Sequence, residues 1–264
     1  MTWVVGASSL FGYGVMVSDV RVSWNDGTHA DLLRKSYRVA PFILAGFAGS
    51  VDIGLRLIGD MQNFLTPPDA SAGAWDPKWV ANNWAPRAAK LFAASPAEEQ
   101  DCGAQILIVG VSPDQRLGTS EFPLVYNIKL DWPDFRPAYM PTPFSVCHIG
   151  NGSDVDQYEK AIADFFDISS PTLQAATAGP AAWAQMLGHS VGRLVADKPT
   201  EGISPHVHIQ TCCLGNFYES DNNTRRVYPD GRRVDFQMPK IASTYAEFLS
   251  LCKTIGKAAT AAVA

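Results

Sequence analysis

Three short apolar strands crowded into the first fifty residues constrain this chain more than any other feature. They are read at about residues 3–9, 15–23 and 36–46, the first two separated by the turn Leu10-Phe11-Gly12-Tyr13-Gly14. A helix then begins near Ser50, with Ile53, Leu57, Ile58 and Met61 along one face. A loop from Thr66 to Gly73 leads to a second helix over Asp76–Ala94, with Pro77 in the first turn, where proline is tolerated. Cys102–Gly110 is a buried strand, and Ser112-Pro113-Asp114 is a turn that sends the chain back. The proline-rich stretch Trp132–Pro143 reads as irregular, and helices follow near 154–166 and 171–196. Val207–Cys212 is another strand. The tail carries a hairpin around Pro229-Asp230-Gly231 and a last amphipathic helix from about Ser243 to Lys257. Hairpins alternating with paired helices suit two stacked sheets between helical layers, an α+β domain.

With 264 residues the chain can be one large domain or two small ones, and it can bury a sizeable core. Charged residues make up 18% of it, against roughly 25% in typical domains, which suggests surface buried against partner chains. The net charge of −5 argues against nucleic acid as the main partner. No apolar run approaches the roughly 18–20 residues a membrane span needs, and no export signal is visible, so a cytoplasmic protein is expected. The cysteines Cys102, Cys147, Cys212, Cys213 and Cys252 are odd in number and contain no Cys-x-x-Cys. They read as reduced thiols rather than a disulfide frame or a zinc site. No cofactor is expected.

The chemistry points to Thr2. A threonine directly after the initiator methionine becomes the first residue once Met1 is trimmed, and then carries nucleophile and base together. Its hydroxyl attacks, and its α-amine, with an ordinary pKa of about 8, takes the proton. A nearby cation favours the neutral amine; Lys35 can supply it, and Asp19 can hold and orient the lysine. Gly49 lies where a strand turns into a helix, so its N–H suits a developing oxyanion. Taken singly, Asp19 reads better as a strand-end turn residue, Lys35 as a surface charge and Gly49 as a turn glycine; the ordered set with Thr2 reverses that.

As an ordered set, these residues resemble the front half of a proteasome β-type subunit. The matching pieces are Thr2-Trp3-Val4-Val5-Gly6-Ala7, Val17-Ser18-Asp19-Val20-Arg21, Arg34-Lys35-Ser36-Tyr37-Arg38-Val39, and Ala45-Gly46-Phe47-Ala48-Gly49. The resemblance covers about residues 2–215 and implies a four-layer αββα N-terminal-nucleophile (Ntn) hydrolase fold. Residues 216–264 and stretches near 66–101 and 120–145 are additions to it. It further implies a threonine peptidase in a homo-oligomeric ring or double ring, acting on peptides or unfolded protein, with an unfoldase as a possible partner. Gly150-Asn151-Gly152-Ser153 is similar to the family's Gly-Ser-Gly-Ser turn, with Asn151 in place of the first serine. Glu201-Gly202-Ile203-Ser204 is similar to its Asp-x-x-Ser, with Glu201 one methylene longer. Ser153, Ser204 and Glu201 are thereby implied to bracket the Thr2 amine. Val22, Leu33, Phe47 and Val51 are implied to line the substrate pocket, giving a preference for an apolar side chain before the cut. Arg21 is assigned to structural ion pairing.

Other readings remain open. The chain can be an Ntn amidase acting on a small acyl-amide, or a catalytically silent ring scaffold. Gly188-His189-Ser190-Val191-Gly192 matches the esterase elbow, but the preceding residues read as helix rather than the required strand. His206-x-His208 lacks a recognisable third metal ligand. Asp154-x-Asp156 lacks the glycine and glutamate of a calcium loop and reads as an acidic helix start.

Overall fold

A computed structural model describes residues 2–66, 75–140, 144–166, 171–221, 225–227, 233–235 and 237–264. It is a mixed α and β structure whose strands pair antiparallel. One five-stranded sheet has the order β10-β1-β2-β11-β12, with β1 at Val4–Ser8, β2 at Tyr13–Asp19, β10 at Ser145–Ile149, β11 at Val207–Cys213 and β12 at Asn216–Asp221. The other has the order β5-β6-β7-β8-β9, with β5 at Ser36–Ala40, β6 at Ile43–Gly49, β7 at Ala104–Arg116, β8 at Pro123–Asp131 and β9 at Arg136–Met140. Two small hairpins pair β3 (Arg21–Ser23) with β4 (His29–Asp31) and β13 (Arg225–Val227) with β14 (Arg233–Asp235).

Period-two alternation decides which face each side chain takes. Val4, Met16, Leu44, Ala48, Leu107 and Val109 meet in a cluster between the two sheets. Their neighbours Trp3, Val5, Val15 and Val17 turn the other way, toward α4 (Asp156–Phe165) and α6 (Pro180–Asp197), represented in that cluster by Tyr158, Ile162, Trp183 and Leu187. Ile43, Ala45, Phe47, Ile106 and Ile108 pack with α1 (Val51–Leu65) and α2 (Pro77–Ala93). Both faces of each central strand are therefore covered, which is why β1 and β2 are buried along their whole length.

The helix starts follow local chemistry. Ser50 caps α1, its Oγ accepting from Ile53 N at 3.1 Å. Asp76 caps α2, accepting from Lys78 N and Trp79 N at 3.0 Å each, with Pro77 in the first turn. After the single turn α3 (Ala97–Gln100), the last helix, α7 (Tyr245–Thr254), opens with a Thr244–Glu247 capping box.

Several elements differ from the sequence reading. The strand expected at 36–46 is two strands, because Pro41 and Phe42 form a turn that pairs Ala40 with Ile43. The strand at 15–23 divides into β2 and β3. Ser112-Pro113-Asp114 does not reverse the chain: β7 runs through it, with a register shift where Pro113 offers no donor, and the reversal comes at Leu117–Phe122. Trp132–Pro143 is not wholly irregular, since β9 lies within it on a sheet edge, where Pro137 is tolerated. The helix at 171–196 is α5 (Pro171–Thr177) and α6, separated at Ala178-Gly179 because Pro180 cannot continue a helix but suits the start of one. Most of the loop after Thr66, and the turn at Pro229-Asp230-Gly231, lie outside the described residues. Among the described residues no helix is long and apolar enough to cross a membrane.

Two glycines on α1 provide a matched test of packing. A Cβ on Gly54 would lie 2.1 Å from the Phe47 ring, whereas one on Gly59 would meet nothing within 4 Å. Alanine gains about 1 kcal/mol over glycine inside a helix, and overpacking a core costs about 1–3 kcal/mol. Gly59→Ala is expected to raise the urea midpoint and Gly54→Ala to lower it.

Candidate active site

The site lies at the start of β1, where the end of β2 meets the residue before β5 of the other sheet. Val4 pairs with Ser18, and Asp19 N donates to Trp3 O at 3.1 Å, which brings Asp19 alongside the beginning of the chain. Trp3 anchors that end: its ring stacks on Tyr158 with centroids 4.7 Å apart, and its Nε1 donates to His148 Nδ1 at 3.2 Å. Lys35 arrives from the other sheet, immediately before β5, and its carbonyl accepts from Phe47 N at 3.0 Å. A hydrogen bond of 3.0 Å between the Ser18 and Ser36 hydroxyls ties the two segments together.

These constraints bring three of the candidate side chains together. Lys35 Nζ donates to Thr2 Oγ1 at 2.9 Å and forms a short hydrogen-bonded ion pair with Asp19 Oδ1. Thr2 and Lys35 are fully buried and Asp19 is 1% exposed. Burial pushes the Lys35 ammonium below its usual range and the Asp19 carboxyl above its own, while the attraction between the two charges opposes both shifts. The sequence reading aimed Lys35 at the Thr2 amine; the structure places it on the hydroxyl.

A second layer of groups orients Asp19. Ser204 N donates to Asp19 Oδ2 at 3.3 Å, and Ser204 Oγ donates to Asp31 Oδ2 at 2.6 Å. Arg21 grips Asp31 with two hydrogen bonds of 2.7 and 3.3 Å, the structural ion pair expected of it. Burial of Asp31 works against its charge, but Arg21 and Ser204 outweigh that and hold its carboxyl below the usual range. Asp31 was missed in the sequence. The signal was the Asn25-Asp26-Gly27 turn, which makes Arg21 and Asp31 directly opposite cross-strand partners.

Backbone groups complete the site. Gly49 has φ +99°, and a Cβ there would lie 2.3 Å from Gly103 O, so only glycine fits. Its N–H donates to Ala264 O at 3.1 Å. Gly150 has φ +83°, and a Cβ there would lie 2.4 Å from Thr2 O. Gly152 N donates to that same carbonyl at 3.1 Å, so the turn at 150–153 grips the Thr2 main chain. Ser153 Oγ donates to Gly150 O at 2.6 Å and so shapes this turn, and among the described residues it forms no hydrogen bond with the Thr2 side chain. Gly49, Gly150, Asn151 and Ser153 share a cavity of about 220 Å³ with Lys129 and Val263.

The remaining sequence candidates sort cleanly. Val22, Leu33, Phe47 and Val51 are fully buried in one cluster, together with Ala262 and Ala264. Glu201 is exposed in a turn and joins none of the contacts above, since the turn sends only Ser204 inward. Gly188–Gly192 lies within α6, so no strand-to-helix elbow presents Ser190. His206 precedes β11 rather than alternating with His208 along it. His208 is buried with its Nε2 3.2 Å from Glu219 Oε1. Among the described residues no group of three potential metal ligands occurs. Asp156 opens α4, as its acidic character suggested. The five cysteines are free thiols, with Cys147, Cys212 and Cys252 buried. No protein-family model matches the chain, and no curated protein matches it.

Asp31 generates a pH prediction. A carboxylate held below its unfolded pKa of about 3.9 stabilises the fold above that pH, and the stabilisation is lost as pH falls through the lower folded value. The stability gap between wild type and Asp31→Asn is expected to be full at neutral pH and to close progressively below about pH 4. Urea denaturation across a pH series measures it.

Proposed function

We propose that this chain is an N-terminal-nucleophile hydrolase of the proteasome β type, with the four-layer αββα architecture and Thr2 as its nucleophile. The observation that carries the reading is the water-excluded row of Thr2 Oγ1, Lys35 Nζ and Asp19, with Lys35 2.9 Å from the hydroxyl. Serine and threonine hydroxyls are weak nucleophiles until an adjacent group changes their proton affinity. A fully desolvated ammonium is a strong perturbation at that distance.

Removal of Met1 frees the Thr2 amine. That amine takes the Oγ proton as Oγ adds to the carbonyl carbon, and Lys35 stabilises the charge that develops on Oγ. Asp19, fixed by Ser204, keeps Lys35 in place. The oxyanion formed on the substrate carbonyl is directed at Gly49 N–H. Collapse breaks the C–N bond, the amine returns its proton to the leaving nitrogen, and water then hydrolyses the Thr2 ester. The pocket made by Val22, Leu33, Phe47 and Val51 receives an apolar side chain before the cut. A homo-oligomeric ring in the cytoplasm, working on peptides without a cofactor, belongs to the same proposal.

The decisive reagent is a peptide epoxyketone, which needs the free amine and the hydroxyl of one residue. Mass spectrometry of the N-terminal peptide is expected to show loss of Met1 and an adduct on Thr2. Retention of Met1 with no adduct would instead favour the silent scaffold. Thr2→Ala is expected to abolish labelling, and Lys35→Ala to slow it by about 10²–10⁴-fold, the range of a positioned acid–base group. Because Lys35 disfavours a second positive charge nearby, the labelling rate should rise with pH with a midpoint below about 8, the ordinary value of an α-amine.

A further inference from the structure

Residues Ala262, Val263 and Ala264 lie as a short extended strand between β3 and the junction of β6 with α1. Val263 pairs antiparallel with Ser23 on one side and with Ser50 on the other. Five main-chain hydrogen bonds hold it. Val263 N–H donates to Ser23 O, and Ser23 N–H to Val263 O, each at 2.9 Å. Ala264 N–H donates to Gly49 O at 2.7 Å, Gly49 N–H to Ala264 O at 3.1 Å, and Val51 N–H to Ala262 O at 2.9 Å. Alternation turns the methyl groups of Ala262 and Ala264 inward, where both are buried in the cluster containing Val22, Phe47 and Val51. Val263 faces the other way, into the cavity lined by Lys129, Asn151 and Ser153.

This strand occupies the groups that the hydrolase reading reserves for substrate. The Gly49 N–H assigned to the oxyanion is already donating to a main-chain oxygen, that of Ala264. Thr2 is shut away from solvent. The approach to the strand is held by specific contacts. Glu99, buried between α1 and the tail, accepts from Ala261 N at 2.8 Å with one oxygen and from Ser50 Oγ with the other. Ala261 is forced to φ +53°, a conformation unfavourable for a residue with a Cβ. Trp24 Nε1 donates to Ala258 O at 2.7 Å, and Lys257 pairs with Asp26 at 2.6 Å.

We propose that Ala262–Ala264 is a self-supplied ligand of the peptide cleft: it makes the main-chain pairings an extended peptide would make with Ser23, Gly49 and Val51, and holds the site closed until it is displaced. The proposal rests on the hydrolase reading for its catalytic consequence, but the occupancy of the cleft by an extended peptide stands separately. It also defines the substrate more narrowly. The preferred peptide is extended and carries alanine-sized side chains at the positions of Ala262 and Ala264, with a wider choice at the Val263 position. Entry of such a peptide exchanges one inserted strand for another, a form of β-strand addition.

The test compares the full chain with a variant lacking residues 262–264 and with full-length Val263→Pro, which loses the donor to Ser23 while keeping both buried alanines. The probe is acetyl-Ala-Val-Ala, and its binding is measured by calorimetry independently of catalysis. The truncated variant is expected to bind the peptide and the full chain to bind it at least tenfold more weakly, with Val263→Pro between. Epoxyketone labelling of Thr2 is expected to be at least tenfold faster in the truncated variant than in the full chain. Added tripeptide should slow it again. A folded truncated variant that binds no tripeptide overturns the proposal, as does a Val263→Pro chain that binds none if truncation prevents folding. Tripeptide binding with Thr2 unreactive in every form upholds the ligand assignment and sinks the hydrolase reading instead.

Discussion

A lysine and an aspartate sealed from water, where two sheets meet, are the constraint around which this molecule is arranged. Burying either charge alone costs several kcal/mol, and their attraction offsets that only with good geometry and with the remaining hydrogen-bonding capacity satisfied. Each partner is supplied accordingly. Lys35 finds Thr2 Oγ1 as well as Asp19, and Asp19 finds Ser204 N as well as Lys35. Ser204 is in turn bound to Asp31, and Asp31 to Arg21. The chain of contacts draws on β2, β3, β4, the residue before β5, and the segment before β11. A site of this kind cannot be assembled by one motif, which is why the residues stand far apart in sequence yet in fixed order.

That dependence explains what the sequence disclosed. Thr2, Asp19, Lys35 and Gly49 were legible because their chemistry demands particular residue types, and the structure brings Thr2, Asp19 and Lys35 into contact. Helix starts at Ser50, Asp76 and Thr244 were legible because capping is local. Boundaries failed where tertiary pairing overrode local signals. Pro113 looked like a turn, yet β7 tolerates it through a register shift. Pro41-Phe42 looked like strand interior, yet it is the bend between two strands. Glu201 was placed by analogy with a shorter acid, but a side chain on an exposed turn has no reason to fold inward. The tail strand was invisible for a different reason. Alanine and valine carry no chemistry to recognise, and its five hydrogen bonds are all made by the main chain.

Glycine does work here that side chains cannot. At Gly49 the φ of +99° and the approach of Gly103 O leave no room for a Cβ, and the same backbone presents an N–H and a carbonyl to an adjacent strand. At Gly150 the backbone closes directly over Thr2 O, so the residue before the first strand is fixed through its main chain while its hydroxyl stays available to Lys35. Thr2 and the Gly49 N–H, proposed as nucleophile and oxyanion donor, are thus positioned through main-chain contacts, and neither depends on the conformation of a long side chain. On the hydrolase proposal, such positioning loses little entropy when a substrate arrives.

On the hydrolase proposal, a site so closed must still admit a substrate, and the contacts indicate which element yields. The sheets and α1 belong to the core, with apolar side chains interlocked on both faces. The segment Ala262–Ala264 is different: it buries two methyl groups and is otherwise held by backbone hydrogen bonds that any extended peptide can reproduce. Displacing it exchanges like for like in hydrogen bonding. The balance then falls on buried apolar area, worth about 25 cal/mol per Å², against the advantage of a tethered strand over a free one. Alanine is the least that can fill those inward positions. A competitor matching them, and gaining area at the Val263 position or beyond, overcomes the tether without unfolding any part of the core.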